Sequence, residues 1–113
     1  MATLNYLELP TKDIGASKRF YAGVFEWDVT DFGPSYAATT SGDTDVGFQA
    51  DAAEQTEHAL PVIEVDDLEK TLDRVGAAGG TITRPIFGFP GGRRFQFRDP
   101  DGHELAVTTL VAE

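Results

Sequence analysis

Residues 4–25, LNYLELPTKDIGASKRFYAGVF, and residues 59–80, ALPVIEVDDLEKTLDRVGAAGG, spell one plan twice: a strand, an acidic cap and a helix. In the first stretch Leu7 and Leu9 alternate with Tyr6 and Glu8, the two-residue period of a half-buried strand. Asp13 is placed to cap a helix in which Ala16, Phe20, Tyr21 and Val24 recur as an apolar stripe that ends near Phe25. In the second stretch LPVIEV alternates, Asp66 or Asp67 caps, and Leu68, Leu72 and Val75 form a stripe that stops at Gly79-Gly80. A shift of 54 lays Asp13 on Asp67, Leu9 on Ile63 and Tyr6 on Leu60, so the strand phases agree. The helices agree less well, since Phe20 falls on Arg74.

Each stretch is followed by β-rich runs broken by Gly, Pro, Ser and Asp. WDVTDF, SYAATT and DVGFQA follow the first and are expected as short antiparallel strands; TITRPIF, RRFQFR and HELAVTT follow the second. The last two are joined by Asp99-Pro100-Asp101-Gly102, a turn with proline second and glycine fourth. The expected fold is therefore α+β, two βαβββ modules at about residues 1–52 and 58–113, joined by the acidic linker DAAEQTEH. A length of 113 residues suits one domain over 1–113.

Composition narrows the function classes. With 41% hydrophobic and 25% charged residues the chain has ordinary globular usage. Its formal charge of −10 repels a phosphate backbone, so nucleic acid is not an expected partner. Apolar runs are only a few residues long and no basic-flanked apolar segment opens the chain, so neither membrane insertion nor secretion is expected and the address is cytoplasmic. Zero cysteines exclude disulfides, thiolate metal sites and cysteine nucleophiles. A metal would need His, Asp or Glu, and the histidines are His58 and His103.

The run TKDIGASKRFYAGVFEWDV, with its D-x3-S-K-x-F-Y and V-F-x-W, and the ending RFQFRDPDGHELAV together resemble the vicinal oxygen chelate superfamily of glyoxalases, extradiol dioxygenases and bleomycin-resistance proteins. The resemblance spans nearly the whole chain. It implies paired βαβββ modules whose sheets curl around a cupped pocket, with the helices outside, and it implies a homodimer. It further implies a divalent metal held from the first and fourth strands of each module, with open positions for substrate oxygens. Carried over by motif, those positions are Tyr6, Gly47, Leu60 and Ala106. One phenol and three side chains without donors make no metal site, so the expectation is the fold and a pocket without the metal. A displaced site built from His58, His103 and carboxylates stands against a simpler reading, in which His58 lies in a polar linker and His103 at a turn exit.

Strand phase sets the remaining candidates. If Leu7, Leu9, Ile63, Val65, Leu105 and Val107 face the helices, then Tyr6, Glu8, Val62, Glu64, Glu104 and Thr108 face the opposite side. Glu8 is the candidate catalytic base or hydrogen-bond acceptor, against the alternative of a solvated strand residue. Arg93, Arg94 and Arg98 reverse the charge locally. They can receive an anion, Arg94 in particular, or pair with Asp99, Asp101 and Glu104. Phe20, Tyr21, Phe25 and Trp27 are expected in the core, whereas Phe87 and Phe89 flank Gly88 in the loop RPIFGFPGG and suggest an aromatic lip over the pocket. Phe95 and Phe97 share a face that sequence alone assigns neither to the helix nor to the pocket.

Three functions are compatible with these residues. The first is a metal-independent protein that holds a small organic ligand through Tyr6, Glu8, Glu64, Phe87, Phe89, Arg94 and Glu104. The second is an enzyme, a lyase, isomerase or dioxygenase-like protein using a carboxylate base or non-standard metal ligands. The third is an interaction module whose cup is filled by its own side chains.

Overall fold

Two aspartates start the two helices. In the computed structural model, which describes residues 2–110, the Asp13 side chain accepts a hydrogen bond from the Ala16 amide and opens α1 (Ile14–Phe25). Asp67, rather than its neighbour Asp66, does the same for the Lys70 amide at the head of α2 (Leu68–Ala77). Each satisfies an amide that has no partner within the helix. Helix α1 stops where Glu26 turns left-handed (φ 59°) and its N–H reaches back to the Ala22 carbonyl. Helix α2 stops at Ala78, just ahead of Gly79 (φ 96°).

Around the helices lie β1 (Thr3–Pro10), β2 (Thr30–Asp31), β3 (Tyr36–Ala38) and β4 (Asp45–Gln49), then β5 (Leu60–Glu64), β6 (Thr81–Phe89), β7 (Gly92–Arg98) and β8 (Glu104–Leu110). The class is α+β, and the order βαβββ occurs twice. Two compact units carry these elements. One is Tyr6–Leu60; the other runs from Pro61 onward and includes the start of β1 up to Asn5.

In the first unit β1 pairs parallel with β4, β4 antiparallel with β3, and β3 antiparallel with β2. Register places Leu9 and Ala37 beside Phe48, and Glu8 and Ala38 beside Gly47. The Tyr21 ring of α1 lies 5.3 Å from the Phe48 ring, so the Phe48 face carries the helix and the Gly47 face does not. In the second unit β5 pairs parallel with β8, and β8, β7 and β6 follow antiparallel. Its core is Leu68, Phe95 and Val107, with Val65, Leu72, Val75, Ile82, Ile86 and Phe97 packed against it. Phe95 and Phe97 therefore meet α2, and the opposite face carries Arg94, Gln96, Ala106 and Thr108. Both strand parities expected from the alternation hold. The Asp99–Gly102 turn also forms: the Gly102 amide reaches the Asp99 carbonyl, and Gly102 takes φ 91°, which favours glycine.

Three expectations need correction. Phe20, Val24 and Phe25 are more than half exposed and Trp27 is exposed as well, so they are not core. The face of α1 turned inward runs through Ile14, Ser17, Lys18 and Tyr21, one position away from the expected stripe. The Ser17 hydroxyl, 2.7 Å from that of Thr11, shows a polar contact on this side. The surface rings pack on each other instead, with Tyr21 stacked on Trp27 (5.3 Å) and on Phe25 (6.1 Å).

Second, RPIFGFPGG is not a loop. Strand β6 continues to Phe89, with Phe87 opposite Arg94 and Phe89 opposite Gly92, and the turn is confined to Pro90-Gly91. A two-residue hairpin turn suffices because the ladder satisfies the remaining backbone groups. Third, Arg93 pairs with Glu69 of α2 in a two-pronged contact (2.5 and 3.1 Å), not with the acids of the turn. Arg98 donates to the Gly102 carbonyl. As the simpler reading of the sequence has it, His58 precedes β5, and its side chain is exposed beside Glu57. Among the described residues, no helix is long and apolar enough to cross a membrane.

Candidate functional site

On the helix-free face of the first unit, three side chains from two strands converge. The Tyr36 phenol donates to Glu8 Oε1 at 3.0 Å, and the Tyr6 and Tyr36 hydroxyl oxygens are 2.6 Å apart. A phenol has a single proton to give. With that of Tyr36 committed to the carboxylate, Tyr6 must be the donor in the second bond. The chain of donation runs Tyr6 to Tyr36 to Glu8. Alternation on β1 places Tyr6 and Glu8 on one face, and the β3–β4–β1 register brings Tyr36 over β4 to meet them.

Gly47 makes the convergence possible. A Cβ at this position would overlap the hydroxyl oxygens of both tyrosines, which occupy the volume a longer residue would use. Glu8 is 2% exposed, so the carboxylate is enclosed and not a solvated strand residue. The Tyr36 phenol is pushed far above the ordinary range of tyrosine, first by burial, then by the Glu8 charge and the neighbouring Tyr6. It stays a neutral hydrogen-bond donor at any physiological pH.

The metal that the resemblance implies can be tested against these residues. Of the four positions carried over from the metal enzymes, Tyr6 alone has a donor, and its hydroxyl is engaged with Tyr36. Gly47 cannot be exchanged for a ligand without moving two phenols. Among the described residues no group of three or more His, Asp or Glu side chains is arranged to hold an ion. The donor set does not fit the divalent site of the resemblance.

The helix-free face of the second unit carries a different chemistry. Gln96 is buried; its amide oxygen accepts from Arg94 (3.2 Å) and its amide nitrogen donates to Glu104 (3.0 Å). Glu104 also accepts from the Thr83 hydroxyl. Glu64, at the end of β5, accepts from the Asn5 amide at 2.8 Å. The guanidinium of Arg84 lies 3.6 Å from the centre of the Phe87 ring, and that of Arg94 lies 5.3 Å from it.

The structure thus joins Tyr6 with Glu8, and Arg94 with Phe87 and, through Gln96, with Glu104. Tyr36, Arg84 and Gln96 are additions. Tyr36 was accessible in principle from the alternation of SYAATT. Arg84 was not, because two register shifts in β6 bring Arg84 and Phe87, three residues apart, onto one face.

Comparison with known proteins now bears on this geometry. The family model described as Glyoxalase/Bleomycin resistance protein/Dioxygenase superfamily matches residues 3–107. The chain belongs to that superfamily. A superfamily relative from Mycobacterium bovis, "Putative glyoxylase CFP32", is 30% identical over 93% of this chain; the chain spans 44% of that relative's length. A solved superfamily member from Vibrio splendidus has the same fold, with a TM-score of 0.72, 19% identity, and coverage of 98% of this chain and 100% of that one. The Mn(II)-bound glyoxalase of Novosphingobium aromaticivorans aligns with a TM-score of 0.71 and 21% identity, over 99% of this chain and 41% of its own. These likenesses establish family and fold.

Proposed function

We propose that this protein is a metal-independent, small-molecule-binding member of the superfamily, holding an organic ligand on the helix-free faces of its modules. The observation that carries the reading is the Tyr6–Tyr36–Glu8 chain seated over Gly47, where hydrogen-bonding groups take the place of a metal ligand. Such a chain recognises a polar atom of a ligand by fixed donors and acceptors; a divalent ion would do so by Lewis acidity. Elemental analysis of protein purified without added metal is expected to find zinc, iron, manganese and nickel all far below one per chain. A near-stoichiometric ion would overturn the metal-independent reading. Thermal-shift screening against a broad panel of small organic molecules is expected to find compounds that raise the melting temperature, because a ligand that prefers the native state stabilises it. A panel without a single shift would favour an interaction module.

An enzyme on this fold is the second reading, favoured by the enclosure of Glu8. A buried carboxylate anchored by a neutral phenol is held in place as a proton acceptor. For a substrate identified by screening, Glu8→Gln would keep the fold and lower turnover by about 10²-fold or more, in line with the usual contribution of a general base. An unchanged rate removes Glu8 from the chemistry. The family resemblance also supports a homodimer, for which light scattering should return twice the 12.2 kDa chain mass; a mass near that of one chain excludes it.

A further inference from the structure

The periodicity of the sequence makes Ala16, Phe20 and Val24 an apolar stripe, and the fold leaves that stripe on the outer side of α1, with Phe20 58% and Val24 56% exposed. Phe25 and Trp27 extend it. Their rings and that of Phe20 each lie within 6.1 Å of the Tyr21 ring, so the apolar surface is continuous. We infer that this face of α1 docks a second copy of the chain, the two helices crossing antiparallel about a two-fold axis near Gly23. The inference rests on the homodimer reading above and adds the surface and the orientation.

Three features support it. The first is the apolar area. Phe20, Val24, Phe25 and Trp27 together present on the order of 400 Å² per copy, the size of patch that on a single chain marks an interaction site. Helix α1 has no fully buried residue, whereas α2 buries Leu68, so much of the apolar content of α1 points away from its own sheet. The second is Gly23. Glycine inside a helix costs stability relative to alanine, and a Cβ here would meet nothing within 4 Å, so no contact within the chain calls for it. Beside Phe20 and Val24 the missing side chain leaves a recess, which lets a second helix approach closely at a crossing point. The third is charge. Residues 12–19 carry Lys12, Lys18 and Arg19 against Asp13, a net of +2 in a chain of −10, while residues 26–31 carry Glu26, Asp28 and Asp31 and no base, a net of −3. Lys18 and Asp31 meet within the chain at 3.0 Å, and Lys12 and Arg19 stand at one end of the helix with Glu26 and Asp28 at the other. A parallel pair would set like ends together. An antiparallel pair sets the basic end of each helix against the acidic end of its partner, and the two-fold axis makes that contact twice. A surface with both signs at its two ends is complementary to itself, which is why the occupant is a second copy. Its area falls below that of a standard interface, so the dimer dissociates on dilution and unfolding curves of dilute protein report the single chain.

Sedimentation velocity of the intact chain across about three decades of concentration tests this. The sedimenting mass is expected to rise from one chain to two as concentration increases. Phe20→Asp should weaken association about tenfold or more. Gly23→Leu, which puts a side chain into open space on the single chain and fills the recess, should do the same while the melting curve of the dilute protein is preserved. Arg19→Glu should also weaken association, and Glu26→Arg added in the same chain should recover most of the loss, because an antiparallel pair brings Arg19 of one copy to the Glu26 end of the other. Leu4→Ser, at an exposed apolar residue outside α1, should change nothing. A chain that stays monomeric at every concentration overturns both this interface and the homodimer. A dimer indifferent to Phe20→Asp and Gly23→Leu refutes the α1 surface and leaves the homodimer standing. Weakening by both, with no recovery in the charge-swapped chain, overturns the antiparallel arrangement.

Discussion

Tyr36 controls the polar chain on β1 and β3, and its ionisation gives the chain a measurable signature. In the unfolded protein a tyrosine loses its proton near pH 10, whereas in the native state burial and the Glu8 charge hold the Tyr36 proton far above that range. Below about pH 10 both states keep the proton and stability is unaffected; above it the unfolded state alone ionises and stability falls as pH rises. Tyr36→Phe should lower stability at pH 8 by about 1–2 kcal/mol through the lost hydrogen bonds. It should also flatten the alkaline decline, so the difference from wild type shrinks between pH 10 and pH 11 in urea unfolding. A constant difference across that interval would contradict the assignment. Gly47→Ala introduces a Cβ into the two phenol oxygens and should cost about 1–3 kcal/mol by overpacking, read from the same unfolding curves. That Glu8 and Tyr6 share a face was legible from a two-residue period. Their bond to Tyr36 was not, because it depends on which strand lies beside β4.

Among the elements, the two helices differ in how well periodicity describes them. Helix α2 was legible because Leu68, Leu72 and Val75 make one stripe, and the same residues contact Phe95 and Val107. Helix α1 has apolar residues on more than one side, and a stripe through Phe20 and Val24 reads as plausibly as one through Ile14 and Tyr21. The packing against Phe48 selects the second. Two substitutions separate the sides. Phe48→Ala, at a ring that is 1% exposed, should cost about 3–5 kcal/mol, whereas Phe20→Ala, at a ring 58% exposed, should cost well under half as much. Comparable shifts in the urea midpoint would mean that the Phe20 face is covered in solution. Strand β6 carries the same lesson for sheets. Its reading as a loop followed from the local signals of Gly88, Pro90 and Gly91, but a neighbouring strand with its own unsatisfied backbone groups overrides such signals.

For the whole molecule, charge is the governing quantity. A formal charge of −10 over 113 residues produces self-repulsion in the native state, which is more compact than the unfolded chain. Raising ionic strength from about 0.01 M to about 0.15 M shortens the screening length from roughly 30 Å to roughly 8 Å, so the melting temperature should rise with added sodium chloride. A flat or falling curve would show that attractive pairs such as Arg93–Glu69 outweigh the repulsion. Family membership, the doubled βαβββ order, the Asp13 cap and the parity of the outer strands were legible in the chain alone, because caps, turns and alternation act between residues close in sequence. The Tyr6–Tyr36–Glu8 chain, the convergence of Arg84 and Arg94 on Phe87, and the side of α1 that faces the sheet were set by strand pairing. Those contacts join residues 28, 30 and 7 positions apart, or depend on a register shift, and neither local propensity nor period encodes which distant backbone will lie alongside.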